Sequence, residues 1–303
     1  PGVVFDQGSE RDFAYTISGN GSVTKTGSGT LALVLTRGSL GNSYTGGTLI
    51  SAGTLAGGTT SFGSGDITIA GNAVLRIDEP GSGTLANRIN GAGAVTKRGA
   101  GTVVLDGTNT YGGGTTIDAG TLVGGAGSFG SGAITNNAAL VIDEATDATL
   151  GNVIEGSGSL TKTGAGTLTL TGFNTYRGNT HIDAGVLSVH HDERLGDASG
   201  GLVFNGGTLR YTGSDLVTNR ATTLGASGGT FEVNGGESLE HGGVIDGPGA
   251  LTMAGPGGLT LTGTNTYTGG TVLNGGMLVI HNDANLGDAT GGLAFNGGIL
   301  QTA

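Results

Sequence analysis

The densest cluster of side chains able to hold a metal or move a proton is His190-His191-Asp192-Glu193-Arg194, with Asp197 close behind. Imidazoles and carboxylates in one loop can coordinate a divalent cation or form an acid/base pair. The passage returns 91 residues on, keeping His281, Asp283 and Asp288 but losing the second His, the Glu and the Arg. A site that the chain discards on repetition argues against chemistry. The run reads as a solvated loop in which His190 and His281 share a turn-packing role. His190, His191, Asp192, Glu193 and Arg194 are the candidates for contact with a partner.

Other chemistry-bearing groups also repeat. Asp78-Glu79 recurs as Asp143-Glu144, but acids that cleave a glycosidic bond must converge on it. These pairs lie coils apart and read as exposed strand ends. Lys25, Lys97 and Lys162 share a slot that Met253 takes in a fourth copy, so the slot reads as an outward strand position that discourages edge pairing. Asn42/Tyr44, Asn109/Tyr111, Asn174/Tyr176 and Asn265/Tyr267 form four Asn-x-Tyr elements. Too far apart to share one ligand, they read as repeat turn positions, Asn setting a turn and Tyr packing along the coil edge. Gly225–Gly229 fits G-x-S-x-G and Gly125–Gly130 fits G-x-G-x-x-G, but 68 glycines make such matches expected by chance. Neither lies in a strand–turn–helix context. No residue is assigned to catalysis, to a cofactor or to a metal.

The elements carrying these residues are short strands. Leu168 and Leu170 alternate with Thr167, Thr169 and Thr171, and Leu259 and Leu261 with Thr260 and Thr262. Period-two runs bounded by Gly, Asn, Asp and Ser read as half-buried strands between turns. No helical stripe of useful length appears. I-x-G-x-G starts at Ile17, Ile89, Ile154 and Ile245, each time leading into a Gly-rich strand, an Asn-x-Tyr and another strand. The interval from Ile to Tyr is 22 residues in three copies and 27 in the first, which has an insertion around Thr36–Leu40. A repeat running end to end predicts a solenoid. The fold expected is all-β: a right-handed parallel β-helix, one continuous elongated rod over 1–303. Its repeat units start near 17, 89, 154 and 245, and its length is about 60 to 70 Å at the spacing of stacked strands. Intervals of 65 and 91 residues predict three and four coils per repeat.

A formal charge of −11 opposes binding to nucleic acid or to an anionic membrane. No apolar run is long enough to span a bilayer. The chain has no Cys, which fits either a reducing compartment or a protein that crosses a membrane unfolded. Both ends fall inside a repeat, so the chain is expected to be a piece of a longer one, with any secretion signal outside it, or to stack end to end.

The passage Gly158–Thr180, GSLTKTGAGTLTLTGFNTYRGNT, closely resembles the passenger-associated transport repeat of bacterial type V autotransporters. Val95–Thr115 and Leu251–Thr271 are similar, and Val23–Thr48 is a lengthened version. The resemblance implies a β-helical passenger at the surface of a Gram-negative cell, attached through an outer-membrane barrel not present in this chain. Roles in the family vary, from adhesion and autoaggregation to host-factor capture and proteolysis by a separate added domain, and the repeat fixes none of them. The reading taken here is a stalk and adhesion scaffold toward a host protein or surface glycan, with no enzymatic activity expected of this segment. The rival readings are a self-associating or filament-forming extracellular protein and, weaker, a β-helical polysaccharide-active enzyme.

Overall fold

Alternating apolar and hydroxyl side chains become strands of two to five residues, paired in parallel with strands one coil away. The computed structural model describes residues 1–35, 40–214 and 216–303. They form two compact units, Pro1–Val141 and Ile142–Ala303. Each unit is a parallel β-solenoid. Among the described residues there is no α-helix, only three short 3-10 turns.

In the first unit, the strand Ser22–Thr26 is followed coil by coil by Thr48–Ile50, Ile67–Ile69 and Ile89–Gly91, in a five-stranded sheet that begins with Gly2–Asp6. Its copy in the next repeat, Ala94–Arg98, lies in a different sheet, between Val74–Asp78 and Thr115–Ile117. In the second unit, Ser159–Thr163 is followed by Thr180–Ile182, Leu202–Phe204, Thr222–Leu224 and Ile245–Asp246. Its copy Leu251–Ala254 again lies elsewhere, between Gly229–Val233 and Thr271–Leu273. A repeat is therefore a whole number of coils plus one further side. This corrects the expectation of whole coils: sequence length counts residues but not the angle through which they turn.

The interior of each unit is a stack of identical parities. Leu150, Leu170 and Val189 stand in register, as do Leu239, Leu259 and Leu278. All six are almost fully buried, and each buried branched side chain contributes roughly 1.5–3 kcal/mol. Glycine is obligatory where coils touch. A Cβ on Gly101 would lie 1.5 Å from the carbonyl oxygen of Gly81, a distance no side chain tolerates.

Candidate functional site

The polar residues of the repeat act inside the solenoid. Lys25, Lys97 and Lys162 are wholly buried, not outward as expected. In Ser-Leu-Thr-Lys-Thr the Lys shares the parity of the inward Leu160, so the pleat itself points it to the interior. The stem packs in the core and the ammonium reaches carbonyl oxygens at the corner. Lys97 Nζ donates to Arg98 O at 2.9 Å, Gly99 O at 2.7 Å and Ala119 O at 3.0 Å, the last on the next coil. Lys25 does the same with Thr26, Gly27 and Ala52, and Lys162 with Thr163, Gly164 and Ala184. The corner forms because Gly27, Gly99 and Gly164 take positive φ between 72° and 80°, which glycine alone adopts freely. Burial lowers the pKa of all three lysines, partly offset by neighbouring acids: Asp6 for Lys25, Glu79 and Asp78 for Lys97, Asp143 and Glu144 for Lys162. Met253, in the fourth slot, is buried too.

The Asn-x-Tyr elements also do more than turn the chain. Asn109 Oδ1 accepts from Ile89 N one coil back at 2.8 Å, and its Nδ2 donates to Ser128 O one coil ahead at 2.8 Å. Asn42 joins Ile17 to Ser61, Asn174 joins Ile154 to Arg194, and Asn265 joins Ile245 to Asn285 in the same way. One side-chain amide thus ties three coils. The tyrosines lie in the core rather than along its edge: Tyr44, Tyr111, Tyr176 and Tyr267 are at most 1% exposed. Each hydroxyl lies 2.6–2.7 Å from the Thr hydroxyl four residues on. Burial raises the phenol pKa, to about 12 for Tyr44 and Tyr267, with the Thr hydrogen bond opposing. Tyr111 and Tyr176 shift in the same direction.

The loop at His190–Arg194 is partly structural, which corrects its reading as a solvated run. Arg220 Nε donates to both carboxylate oxygens of Asp192, at 3.0 and 3.1 Å. Arg220 is 2% exposed and also donates to the carbonyls of Asp192, Gly196, Asp197 and Gly200. Sequence reasoning missed it because its partner lies 28 residues back and no local pattern marks it. Arg194 stacks on Phe173, its guanidinium carbon 3.6 Å from the ring centroid. His190 and His191 meet edge to face at 4.5 Å, and Glu193 faces solvent. His190 Nδ1 lies 3.1 Å from Thr212 O, and His281 Nδ1 lies 3.3 Å from Ala303 O, the same contact in both copies. Among the described residues, no three His, Cys, Asp or Glu gather to hold a metal.

The paired acids serve neighbouring coils. Glu79 accepts from the backbone and hydroxyl of Thr59; burial works to raise its pKa, but these bonds outweigh it and the net shift is downward. Asp143 accepts from the Thr163 hydroxyl at 3.0 Å. Of the insertion around Thr36–Leu40, Thr36–Ser39 lie outside the described residues, and Leu40 is fully exposed. On the outside of the second unit, Thr149, Thr169, Ser188, Arg210 and Glu232 stand in register on five successive strands. With Asp147 and Thr167 they line a polar groove of about 480 Å³, where Arg210 and Glu232 pair at 3.0 Å.

The segments built around these ties are the ones that a known family matches. The passenger-associated transport repeat aligns with residues 23–56, 95–123, 160–189 and 251–280. The chain carries that repeat four times. It resembles the passenger of an autotransporter: over 318 aligned residues it is 34% identical to the adhesin BmaC autotransporter of Brucella suis biovar 1 (strain 1330). That alignment covers 86% of this chain and 9% of the adhesin. A shorter stretch of 63 residues is 49% identical to an extracellular serine protease of Serratia marcescens, covering 21% of this chain and 6% of the protease. The chain thus spans less than a tenth of either relative's length. No solved structure matches it. Each match contains one Asn and one Tyr of the repeat. The Ile amide that the Asn holds lies upstream of every match, so the transport repeat reaches back to the coil before it.

Proposed function

We propose that this chain is a non-enzymatic segment of a surface-exposed or secreted autotransporter passenger, acting as a stalk and as a scaffold for adhesion. The observation that carries the reading is the use made of the repeat's polar residues. Lysine, asparagine and Arg220 bind the chain to its own neighbouring coils, and tyrosine bonds inside its own coil. What is left for a partner is the outward surface of strands and loops, a display role. The similarity to an adhesin over most of the chain supports the same reading, and an outer-membrane anchor elsewhere in the full protein would hold the segment outside a Gram-negative cell. The polar groove along Thr149, Thr169, Ser188, Arg210 and Glu232 suits a hydroxyl-rich ligand, and a surface glycan is the partner proposed for it.

The test is binding of the purified chain to immobilised host-type glycans, with light scattering to establish that the input is monodisperse. Saturable binding that Arg210→Ala abolishes, together with no release of reducing ends from the same glycans, supports an adhesive scaffold. Glycan cleavage would overturn the non-enzymatic reading. Binding unchanged by Arg210→Ala would remove the groove from it.

A further inference from the structure

Asn-Gly occurs six times in this chain, at Asn20, Asn90, Asn205, Asn234, Asn274 and Asn296. The dipeptide carries latent chemistry. The backbone nitrogen of the glycine can attack the side-chain amide before it, and an attack within one chain has a large entropic advantage. Glycine has no Cβ to shield its nitrogen or to hinder the backbone rotation that the attack needs. The fold restrains most of the six. Asn205 donates to Asp183 Oδ1 at 2.7 Å, and Gly206 N is tied to Gly228 O at 2.8 Å. Asn90 and Gly91 lie in the strand Ile89–Gly91, paired with Ile67–Ile69. Asn274 and Asn296 are bonded to each other through their side chains at 3.0 Å, and Gly297 N donates to Leu273 O.

Asn234 and Asn20 are held by no such ties. Among the described residues, neither side-chain amide has a partner, and Gly235 N and Gly21 N make no hydrogen bond. Asn234 opens a surface turn closed by Glu237 N on Asn234 O at 3.1 Å, in which Gly235 and Gly236 are exposed. It also lines the polar groove of the second unit, with Arg210 and Glu232. We propose that Asn234 is a modification site, where the chain deamidates itself through Gly235. Gly235 N forms a bond to Asn234 Cγ as the bond from Cγ to the amide nitrogen breaks, and the Gly235 proton leaves with that nitrogen as ammonia. The five-membered imide then takes up one water. Opening on one side gives aspartate, on the other isoaspartate, and neither step needs a cofactor or an oxidant. Either product turns a neutral amide into a carboxylate. Arg210 already pairs with Glu232 at 3.0 Å, so the groove gains a charge with no cation of its own. Isoaspartate also adds one carbon to the backbone of a corner that the next coil packs against closely: a Cβ on Gly257 would lie 2.3 Å from Asn234 O. The reaction depends on the turn and not on what the groove binds.

The experiment is peptide mapping by mass spectrometry of the chain aged at neutral pH in water enriched in heavy oxygen, natively and in parallel in urea. In the native chain, heavy oxygen should enter at Asn234 and at Asn20, which has the same freedom away from the groove. At Asn90, Asn205, Asn274 and Asn296 it should enter only in urea, where the ties that restrain them are gone. Gly235→Ala should remove the native signal at Asn234 and leave that at Asn20 unchanged. The added Cβ meets only the Pro256 ring, at 3.2 Å, and continued protection of Asn205 checks that the variant is folded. Three results would overturn the site: Asn234 intact in the native chain while it reacts in urea, all six positions reacting alike in the native chain, or no effect of Gly235→Ala.

Discussion

Asn109→Ala tests whether one side-chain amide holds three coils together. The substitution removes the acceptor for Ile89 N and the donor to Ser128 O, both 2.8 Å away and both buried. Asn109 is 5% exposed and Ile89 0%, so water cannot replace the amide without entering the wall. Each stranded buried group costs about 1–3 kcal/mol, giving about 2–6 kcal/mol for the pair. Because a solenoid unfolds by neighbouring units rather than all at once, the sharpest assay is native-state hydrogen exchange. Ile89 N–H should lose protection by that amount, while amides on strands several coils away, such as Leu31, change little. Asn109→Asp keeps the acceptor but turns a carboxylate oxygen toward the Ser128 carbonyl. It should be as damaging near neutral pH and recover on acidification, when the protonated acid can donate. If Asn109→Ala leaves the exchange of Ile89 within about 0.5 kcal/mol of the parent, the amide is a passenger in a wall that holds itself, and the tie is refuted.

Leu170→Asp places a charge between Leu150 and Val189 in a position 2% exposed; a loss of several kcal/mol in urea is expected, and a variant that melts like the parent would disprove the inward assignment. Lys97→Met should change stability by no more than about 1 kcal/mol, because Met253 fills the equivalent slot, whereas Lys97→Glu turns the carbonyl cage against its occupant and should cost several times that; equal effects of the two would show that the cage does not discriminate. Burial lowers the pKa of His241 from 6.5 to about 4. Between those values the unfolded chain binds a proton that the folded chain does not, so stability falls as pH drops through that window, by about 3 kcal/mol in total. The difference in pH dependence between the parent and His241→Gln isolates this share, and identical profiles would exclude it.

The strands and their inward parity were legible because one face of each strand must be apolar, and Leu168/Leu170 or Leu259/Leu261 state this at period two. The same signal was available for Lys162, two residues after Leu160, but the rule that charge faces water overrode it. The rule fails here because the stem is long enough to bury its methylenes and still bring the ammonium to the corner carbonyls. Met253, an apolar residue in the same slot, marks that slot as an interior one. The Asn-x-Tyr spacing was visible, yet its meaning was not, since the partners of Asn109 lie about 20 residues away on either side. Arg220 left no trace at all. A buried arginine is recognised by the acceptors around it, and those belong to a loop on the coil before.

The advance of each repeat by one side has a mechanical consequence within each unit. In the first, the five-stranded sheet gives out after Ile89–Gly91, and on the next coil the chain passes as the turn of Asn109 and Tyr111, still bonded by Thr110 N to Ile89 O and Gly112 N to Gly91 O. In the second, the sheet ending at Ile245–Asp246 is followed in the same way by Asn265 and Tyr267. The asparagine therefore sits where a regular ladder stops, and its amide supplies two of the bonds that a strand would have made. Were every repeat a whole number of coils, these interruptions would fall one above another and open a seam along one side. Because each repeat turns one side further, the copy Ala94–Arg98 continues a ladder that the first copy never entered, and Leu251–Ala254 does the same. Each interruption is then flanked by unbroken strands on the coil's other sides. Deleting about one side's worth of residues, such as 100–106 around the strand Thr102–Leu105, should accordingly destabilise its unit more than deleting a whole coil of about 20 residues. The whole-coil deletion keeps every later strand in its own sheet; the shorter one moves all of them to the wrong side.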